Sequence, residues 1–278
     1  MKKAAVPHPV KDVGVVGAGR MGTPIIGHLA REGFSTRACD VNRARASAVK
    51  ELGAQWAASP ESLAGECDAI LVCVGFDREV QELLAEGGPL RRAKPGTIVA
   101  ILSTIHPKTI QKLAKECGSA DLHVVDSTVC RGGEAADKGT LLSFVGGSAE
   151  VVERLTPVLR AYSSDVVHTG GVGTAQVAKA VNNLILWACL VADHEGLALA
   201  RHYGADIEAL RKALLISSCA NGPLEKWGTQ TMAWAEDDMA IVAEMAAEAG
   251  IALPQAGVNR EVCRALKPRR YKLDLYGR

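Results

Sequence analysis

The chain has 278 residues, enough for one large domain or two ordinary ones, and 48% of them are hydrophobic against 23% charged. The 32 Lys and Arg residues nearly balance the 31 Asp and Glu residues, which leaves a formal net charge of +1. This balance gives no reason to expect nucleic acid or an anionic membrane as the main partner.

Eight cysteines are scattered along the chain, and no two of them form a Cys-x-x-Cys pair. No His cluster lies at metal-ligand spacing either, so we predict no metal site. Unpaired cysteines are typical of a reducing compartment, and residues 1–9 are basic but run into prolines without an apolar signal segment. We therefore expect a cytoplasmic protein with a loose N-terminal tail and a solvated basic terminus at residues 267–272.

The first 170 residues alternate between short apolar runs and helix-like segments. Such alternation predicts a parallel-rich sheet with helices on both faces, and strongly apolar strands are typical of a sheet covered on both sides. The predicted strands are Val13–Val16, Ser35–Cys39, Ala69–Val74, Thr97–Ile101, His123–Asp126, Leu142–Val145 and Val166–His168. The predicted helices between them are Met21–Arg31, Ala44–Leu52, Arg78–Leu84, Pro107–Cys117 and Val151–Tyr162.

The pattern changes after the glycine-rich residues 170–173, and we predict only helices beyond them. A long helix is expected over Thr174–His202, because its Ala and Leu content favours helix. Further helices are expected over Ile207–Leu215, Asp237–Ala249 and Gln255–Leu266. The sequence thus predicts an α/β domain over residues 1–170 and an all-α domain over residues 171–278, linked by the long helix.

The most apolar run, Leu184–Ala192, lies inside that helix and covers nine residues. This is about half of what a membrane span needs, so we expect a buried helix segment. A domain of about 100 residues covers only part of so apolar a helix, so we expect a homodimer that buries helices.

A glycine-rich turn, Gly17–Gly22 with the sequence GAGRMG, follows the first strand and opens the first helix. In this context Gly17 makes the tight turn, Gly19 lets the backbone approach a pyrophosphate, and Gly22 lets helix and strand pack closely. The anion then rests on N–H groups at the helix N-terminus. The turn predicts a dinucleotide-binding domain of the Rossmann type; a glycine-rich turn without a ligand is the alternative. Its predicted cofactor contacts include Arg20 and Met21.

Asp40 ends the second strand, 18 residues after Gly22. A carboxylate there accepts hydrogen bonds from a ribose 2′-hydroxyl and repels a 2′-phosphate, so we predict NAD in preference to NADP. Arg43 and Arg45 follow closely. We favour their interpretation as surface charges, but either side chain can swing towards a phosphate, so NADP stays open. Further predicted cofactor contacts are Val41, Asn42 and Val74.

The sequence resembles the β-hydroxyacid dehydrogenase family, whose members include 3-hydroxyisobutyrate dehydrogenase, tartronate semialdehyde reductase and relatives of phosphogluconate dehydrogenase. The resemblance spans about residues 11–266. Four motifs carry it in order: GAGRMG at 17–22, STIHP at 103–107, DSTVCRG at 126–132, and GGVG at 170–173 followed by Lys179, Asn182 and Asn183. It implies hydride transfer between nicotinamide and a small β-hydroxy acid or its oxo partner, in a homodimer or homotetramer.

The resemblance makes Lys179 the acid–base residue. It implies that this Lys donates a proton to the developing alkoxide in carbonyl reduction and takes one up in alcohol oxidation. Asn183 lies one helical turn further on the same face, where it can orient the Lys or hydrogen-bond the substrate. From spacing alone, a Lys extended along a helix start and an Asn bonded to the backbone are the simpler interpretation.

Ser103 and Thr104 follow a predicted strand, which puts them at the carboxyl end of the sheet where ligands of open α/β folds bind. The resemblance implies that they contact nicotinamide or its ribose. A helix cap before Pro107 is a second interpretation, and the two are compatible.

The family holds the substrate carboxylate with a Ser and backbone N–H groups in the segment that corresponds to residues 126–133. This sequence departs from the family there, with Cys130 where Ser is usual and Arg131 where Gly is usual. A thiol is a poor hydrogen-bond donor. Arg131 either clamps the carboxylate with two hydrogen bonds or points into solvent. Other predicted substrate contacts in this segment are Ser127, Gly132 and Gly133.

Asp237 is a second departure, because it occupies the position of a family Lys that reaches cofactor or substrate. An anion in place of that cation disfavours a second negative group on the substrate and favours a neutral or cationic substituent. Trp227 and Trp234 precede this position and are pocket candidates, although core packing is the better interpretation of Trp234.

Two alternative functions stay open. Imine reduction occurs on the same architecture, but those enzymes usually lack Lys at this position, so Lys179 argues against it. The other alternative is a non-catalytic nucleotide-binding sensor, which the departures at Cys130, Arg131 and Asp237 favour. Lys179 and Asn183 argue against a sensor, because it needs no proton donor beside the nicotinamide.

Overall fold

The computed structural model describes residues 9–118, 121–229 and 232–267. The predicted N-terminal tail, apart from residue 9, and the predicted basic terminus, apart from residue 267, lie outside the described residues. The chain divides between Lys179 and Ala180 into two compact units.

The first unit contains a nine-stranded sheet. Its strands are β1 (Asp12–Val16), β2 (Ser35–Cys39), β3 (Gln55–Trp56), β4 (Ala69–Val72), β5 (Ile98–Ile101), β6 (His123–Asp126), β7 (Val129–Cys130), β8 (Leu141–Gly146) and β9 (Ser163–Gly170). The strand order is β3-β2-β1-β4-β5-β6-β8-β7, and β9 pairs with β8. The first six strands of this order are parallel, whereas β8 is antiparallel to β6 and β7 and parallel to β9. The predicted parallel-rich sheet is therefore confirmed.

Helices alternate with the strands of this sheet. They are α1 (Gly22–Arg31), α2 (Ala46–Glu51), α3 (Pro60–Glu66), α4 (Asp77–Leu84), α5 (Pro107–Gly118), α6 (Gly132–Lys138) and α7 (Ala149–Arg160). Helix α8 (Thr174–His202) begins in the first unit and continues into the second. The second unit also contains α9 (Ile207–Leu214), α10 (Gly222–Glu225), α11 (Ala235–Ala249) and α12 (Pro254–Leu266), so the all-α prediction is confirmed for the described residues.

The central strands are buried on both faces. Leu71 of β4 belongs to one apolar cluster, whereas its neighbours Ile70 and Val72 belong to another, and all three side chains are fully buried. Successive side chains of a strand point to opposite faces, so the sheet separates two cores. This double coverage explains why the strands appear in the sequence as continuous apolar runs instead of alternating ones.

The start of α8 is bound to the strand ends of the first unit. The Asp126 carboxylate accepts hydrogen bonds from the N–H groups of Gly173 at 2.8 Å and Gln176 at 2.9 Å. The Thr128 hydroxyl donates to the carbonyl oxygen of Ala175 at 3.0 Å. These bonds keep the first turns of the helix with the α/β unit. The structural division therefore falls inside α8, whereas the sequence places the boundary before it, at residue 170.

Helix α8 is long and apolar enough to cross a membrane by length and composition, the one such helix among the described residues. Length and composition do not distinguish a membrane span from a core or interface helix. Trp187, Leu190 and Val191 are buried in the core of the second unit, whereas Ile185 is 58% exposed. The prediction of a buried segment at Leu184–Ala192 thus holds for one face of the helix only.

Candidate active site

The glycine-rich turn lies at the carboxyl end of β1, where the strand order reverses between β1 and β4. Gly17 has a φ of +98°, which favours glycine, and a Cβ there would collide with the carbonyl oxygen of Cys73. A Cβ on Gly22 would collide with the carbonyl oxygen of Gly17. The two glycines let α1 start directly on the end of β1, the geometry in which the first N–H groups of a helix hold a pyrophosphate. The residues present fit a dinucleotide cofactor.

Asp40 lies at the end of β2 and is bound to this turn. Its carboxylate accepts hydrogen bonds from the N–H groups of Ala18 at 2.7 Å and Asn42 at 2.8 Å. The Arg45 guanidinium lies 3.3 Å from the same carboxylate, and a Cβ on Gly19 would lie 3.2 Å from that guanidinium. Arg45 is therefore a partly exposed surface charge that lies beside the glycine-rich turn. Among the predicted contacts of this site, Val41 is fully exposed.

Arg20 bridges the glycine-rich turn and α6. Its guanidinium donates two hydrogen bonds of 2.7 Å to the Asp137 carboxylate, and this cation holds the pKa of Asp137 below its usual value. Gly133 leaves room for the guanidinium, since a Cβ there would lie 2.5 Å from Arg20 Nη2. Together with Arg31 and Arg45, Arg20 lines a cleft of about 610 Å³. The excess of cationic groups favours anionic ligands beside the glycine-rich turn.

The loops after β4 and β5 are joined by one side chain. The Ser103 hydroxyl donates to the carbonyl oxygen of Val74 at 2.8 Å and accepts from the Val74 N–H at 3.0 Å. Two predicted cofactor contacts are thus brought together at the carboxyl end of the sheet, with Thr104 half-buried beside them. The hydroxyl bonds to Val74, so Ser103 joins two loops and does not cap α5.

Lys179 lies in the second turn of α8, against β7. Its ammonium group donates a hydrogen bond to the carbonyl oxygen of Val129 at 2.8 Å and lies 4.0 Å from the sulfur of Cys130. The structure therefore brings the predicted acid–base residue next to the predicted substrate segment. A backbone carbonyl orients an ammonium group but cannot take its proton, so the proton stays available for chemistry at Nζ.

Arg131 is exposed, and its guanidinium is bound to neighbouring residues of the same unit. Its guanidinium donates hydrogen bonds to the Asp165 carboxylate at 2.7 Å, the Ser164 hydroxyl at 2.8 Å and the carbonyl oxygen of Thr140 at 3.1 Å. These contacts attach it to β9 and the loop before β8. The backbone of Arg131 has a φ of +83°, a left-handed conformation that costs on the order of 1–2 kcal/mol for a residue with a side chain. The usual family Gly avoids that cost.

Two other residues of this segment, Ser127 and Cys130, are buried, whereas Gly132 is exposed. Ser127 is fully buried, and its N–H donates to the carbonyl oxygen of Ile101 at 2.8 Å. Cys130 is also buried. Gly132 opens α6 with a φ of +76°. The backbone therefore turns sharply at residues 131 and 132, directly after the strand that Lys179 contacts.

The predicted site residues of the second unit lie on three helices or their flanks. Asn183 is buried on α8, and its side-chain oxygen accepts a hydrogen bond from Asn182 at 3.0 Å. The Trp227 ring packs on His194 with 4.5 Å between centroids. Asp237 is exposed in the first turn of α11. Trp234 is 52% exposed, so the prediction that it packs in the core is wrong.

Two further residues near Lys179 were not predicted from the sequence. Asp126 caps α8, and burial raises the pKa of its carboxyl group while the backbone N–H bonds act in the opposite direction. Gln176 is almost completely buried and bonds to the loop after β5. Both lie within or beside quoted motifs, but their partners are distant in sequence. In the described part of the chain, no group of three or more His, Cys, Asp or Glu side chains is placed to hold a metal ion.

Comparison with known proteins gives the same assignment in both halves of the chain. The family model for the NAD-binding domain of 6-phosphogluconate dehydrogenase matches residues 12–171, and the model for the NAD-binding region of NADP-dependent 3-hydroxyisobutyrate dehydrogenase matches residues 173–274. The 2-(hydroxymethyl)glutarate dehydrogenase of Eubacterium barkeri is 28% identical over 262 residues, which cover 90% of this chain and 87% of that protein. The NAD-dependent L-serine dehydrogenase of Pseudomonas aeruginosa is 30% identical over 217 residues, which cover 78% and 73%.

A solved structure of 3-hydroxyisobutyrate dehydrogenase from Salmonella typhimurium has a TM-score of 0.81 and 25% identity to this chain, and the match covers 93% of this chain and 94% of that one. The fold, the glycine-rich cradle and these likenesses define an NAD(P)-dependent oxidoreductase. The chain belongs to the β-hydroxyacid dehydrogenase family.

Proposed function

We propose that this enzyme moves a hydride between nicotinamide and a small β-hydroxy acid or its oxo partner, with Lys179 as the acid–base residue. The observation that carries the proposal is the position of Lys179, whose Nζ is held at 2.8 Å by the Val129 carbonyl within the unit that contains the cofactor cradle. When bound, the nicotinamide supplies or accepts the hydride. Lys179 Nζ takes up the hydroxyl proton in oxidation and returns it to the carbonyl oxygen in reduction.

Asn183 supports this role from the next turn of the same helix. It shares a helix face with Lys179, and its burial fixes the orientation of its amide. We propose that it hydrogen-bonds the substrate oxygen or orients the Lys ammonium group. Neither role requires Asn183 to exchange a proton.

For the substrate, we propose a β-hydroxy acid without a second anionic group. The relative from Eubacterium barkeri is named for a substrate with two carboxylates, and the relative from Pseudomonas aeruginosa is named for L-serine, which carries an ammonium group. Asp237 stands where the family has a Lys, and a carboxylate repels a second negative charge. L-serine and 3-hydroxyisobutyrate are therefore expected to be better substrates than 2-(hydroxymethyl)glutarate.

For the cofactor, we propose NAD in preference to NADP. The Asp40 carboxylate is held at the end of β2 by the N–H groups of Ala18 and Asn42, where the ribose of a bound dinucleotide lies. Arg45 offsets part of its charge, since their charged groups are 3.3 Å apart. We expect Asp40→Ala to narrow the preference for NADH, and Arg45→Ala to widen it, in direct titrations with NADH and NADPH.

We also propose that the enzyme is a homodimer that packs through α8. One face of this helix exposes Val181, Ile185 and Leu199, and between them lie the small, exposed residues Ala192 and Gly196. A Cβ on Gly196 would meet no atom within 4 Å, so another helix can approach the backbone closely there. We propose that the same face of α8 in a second copy of the chain packs against it. None of the eight cysteines is in a disulfide in the described structure, which supports a further proposal, that the enzyme works in the cytoplasm.

The proposed function is tested by following NADH absorbance with the wild-type enzyme and a panel of substrates. The panel contains L-serine, 3-hydroxyisobutyrate, 2-(hydroxymethyl)glutarate, a neutral alcohol and, for the reverse direction, a cyclic imine. Turnover of a β-hydroxy acid with no imine reduction is the expected result. Imine reduction without turnover of any hydroxy acid would show that the enzyme is an imine reductase. Tight NADH binding without turnover of any compound would favour a nucleotide-binding sensor.

A further inference from the structure

Gln176 joins the first turn of α8 to the loop after β5. Its side chain is 1% exposed, and its oxygen accepts a hydrogen bond from the Ile105 N–H at 3.0 Å while its nitrogen donates to the carbonyl oxygen of Ser103 at 2.8 Å. The Gln176 carboxamide thus satisfies one backbone donor and one backbone acceptor of the loop, in the way that the backbone of a paired strand does. Loss of the amide would leave two buried backbone groups without partners.

The same residue is fixed on its other side. The Gln176 N–H donates to the Asp126 carboxylate at 2.9 Å, so the position of the side chain along the helix is set. Lys179 follows three residues later, close to one helical turn, and therefore projects from nearly the same side of α8. The Lys ammonium group is in turn bound by Val129 at 2.8 Å.

The loop that Gln176 holds is the one with Ser103 and Thr104. Ser103 also bonds to both backbone groups of Val74, so the ends of β4 and β5 move as one piece. A continuous set of hydrogen bonds therefore runs from Val74 through Ser103 and Gln176 to the helix of Lys179. Every group in this set is buried or half-buried, and such networks hold a single geometry when all members are satisfied.

We infer that Gln176 is a positioning residue, which sets the distance between Lys179 and the Ser103–Ile105 loop. This inference rests on the proposed function, in which Lys179 exchanges the proton, and on the family resemblance, which implies that Ser103 and Thr104 of this loop contact the nicotinamide or its ribose. Gln176 itself touches neither substrate nor cofactor in this assignment. Its contribution appears in the reaction step and not in substrate affinity, because a small misplacement of reacting groups costs up to about a hundredfold in rate.

The test compares Gln176→Met with a matched variant, Gln111→Met. Gln111 is exposed, and its side chain donates to the carbonyl oxygen of Val172 before the same helix, away from the Ser103–Ile105 loop. For Gln176→Met we expect kcat to fall about ten- to a hundredfold, with the KM for the hydroxy acid within threefold of wild type. For Gln111→Met both parameters stay within twofold. Amide hydrogen exchange at Ile105 accelerates in Gln176→Met only.

A second variant, Gln176→Glu, keeps the shape of the side chain. When ionised it can accept from Ile105 but cannot donate to Ser103, and the neighbouring Asp126 carboxylate favours its protonated form. Its kcat relative to wild type should therefore recover as the pH is lowered, as the carboxyl group regains a proton to donate. A substitution that only loosens the fold would show no such recovery.

Three results would overturn the inference. The first is a wild-type kcat in Gln176→Met despite faster exchange at Ile105. The second is a loss in kcat/KM that lies wholly in KM, and the third is a Gln176→Glu activity that does not depend on pH beyond the wild-type profile. If the wild-type enzyme turns over no hydroxy acid, the proposed function fails separately. Unchanged amide exchange at Ile105 in Gln176→Met would then overturn the positioning role.

Discussion

Asp126→Asn tests how strongly the start of α8 is held to the sheet. The Asp126 carboxylate is fully buried and accepts two backbone hydrogen bonds, from Gly173 and Gln176, one on each oxygen. An Asn side chain keeps one acceptor and presents an N–H₂ group to the other N–H. Hydrogen bonds to a charged group contribute about 1.5–3 kcal/mol each, and a buried N–H without a partner costs about 1–3 kcal/mol. We therefore expect the free energy of unfolding to fall by about 2–4 kcal/mol at pH 7.

The assay is urea unfolding of the wild type and Asp126→Asn, with Asp206→Asn as the matched control. Asp206 caps α9 by accepting one hydrogen bond from the Ala209 N–H at 3.0 Å, and Asn caps a helix as well as Asp does. The control should lose less than about 0.5 kcal/mol. A loss of that small size in Asp126→Asn as well would refute the assignment of Asp126 as the anchor of α8.

The pH dependence of the free energy of unfolding gives a second test of Asp126. Burial raises the pKa of Asp126 above its ordinary value of 3.8, so ionisation is less favourable in the folded than in the unfolded state. The part of the stability that comes from binding a proton at Asp126 is therefore present at acid pH and is lost as the pH rises from 3.8 through the raised pKa, whereas the hydrogen bonds from Gly173 and Gln176 remain at pH 7. Asp126→Asn should lack this slope in a series of unfolding curves at increasing pH.

Three other substitutions give separate tests. Gly22→Ala should abolish NADH binding in a fluorescence titration, because its Cβ would collide with the carbonyl oxygen of Gly17, whereas Gly65→Ala has open space and should bind NADH normally. Arg131→Gly should change the free energy of unfolding by less than about 1 kcal/mol, since it relieves a left-handed φ of +83° and loses a half-exposed ion pair. If Arg131 clamps the substrate carboxylate instead, the KM for the hydroxy acid will rise more than tenfold. Ile185→Lys should convert the proposed dimer into monomers in sedimentation at micromolar concentration, and an unchanged mass would exclude this face.

Elements with a repeated local signal were predictable from the sequence. Each of the central strands is a run of apolar residues, and the helix Thr174–His202 was expected with the ends that it has. The glycine-rich turn was assigned because strand, glycines, helix and Asp40 follow one another at fixed spacing. These features depend on neighbours in sequence, which a pattern can reveal.

Elements without such a signal were missed. Strands β3 and β7 have two residues each, too few for a period to appear. Helix α6 begins with two glycines, which disfavour helix, and it follows Arg131 in a left-handed conformation. Helix α3 does carry a local signal, a Ser59-Pro60 start with Ser62 completing a capping box, but it has only seven residues.

The residues that hold the proposed site in place make contacts with residues far apart in sequence. Gln176 bonds to a loop about 70 positions earlier, and Asp126 to a helix about 50 positions later. Arg131 bonds to Asp165, a partner that no local pattern indicates. The sequence motifs identify which side chains carry the proposed chemistry, whereas only the fold reveals which side chains hold them in place.

The measurement that tests the central claim most directly is single-turnover hydride transfer in Lys179→Ala, with NADH affinity measured on the same sample. The account predicts that the rate of hydride transfer falls at least about a hundredfold, the usual size of a lost acid–base group. NADH affinity should stay within about threefold, because Lys179 bonds to Val129 and not to the glycine-rich turn. A Lys179→Ala enzyme that transfers hydride at the wild-type rate would contradict the account.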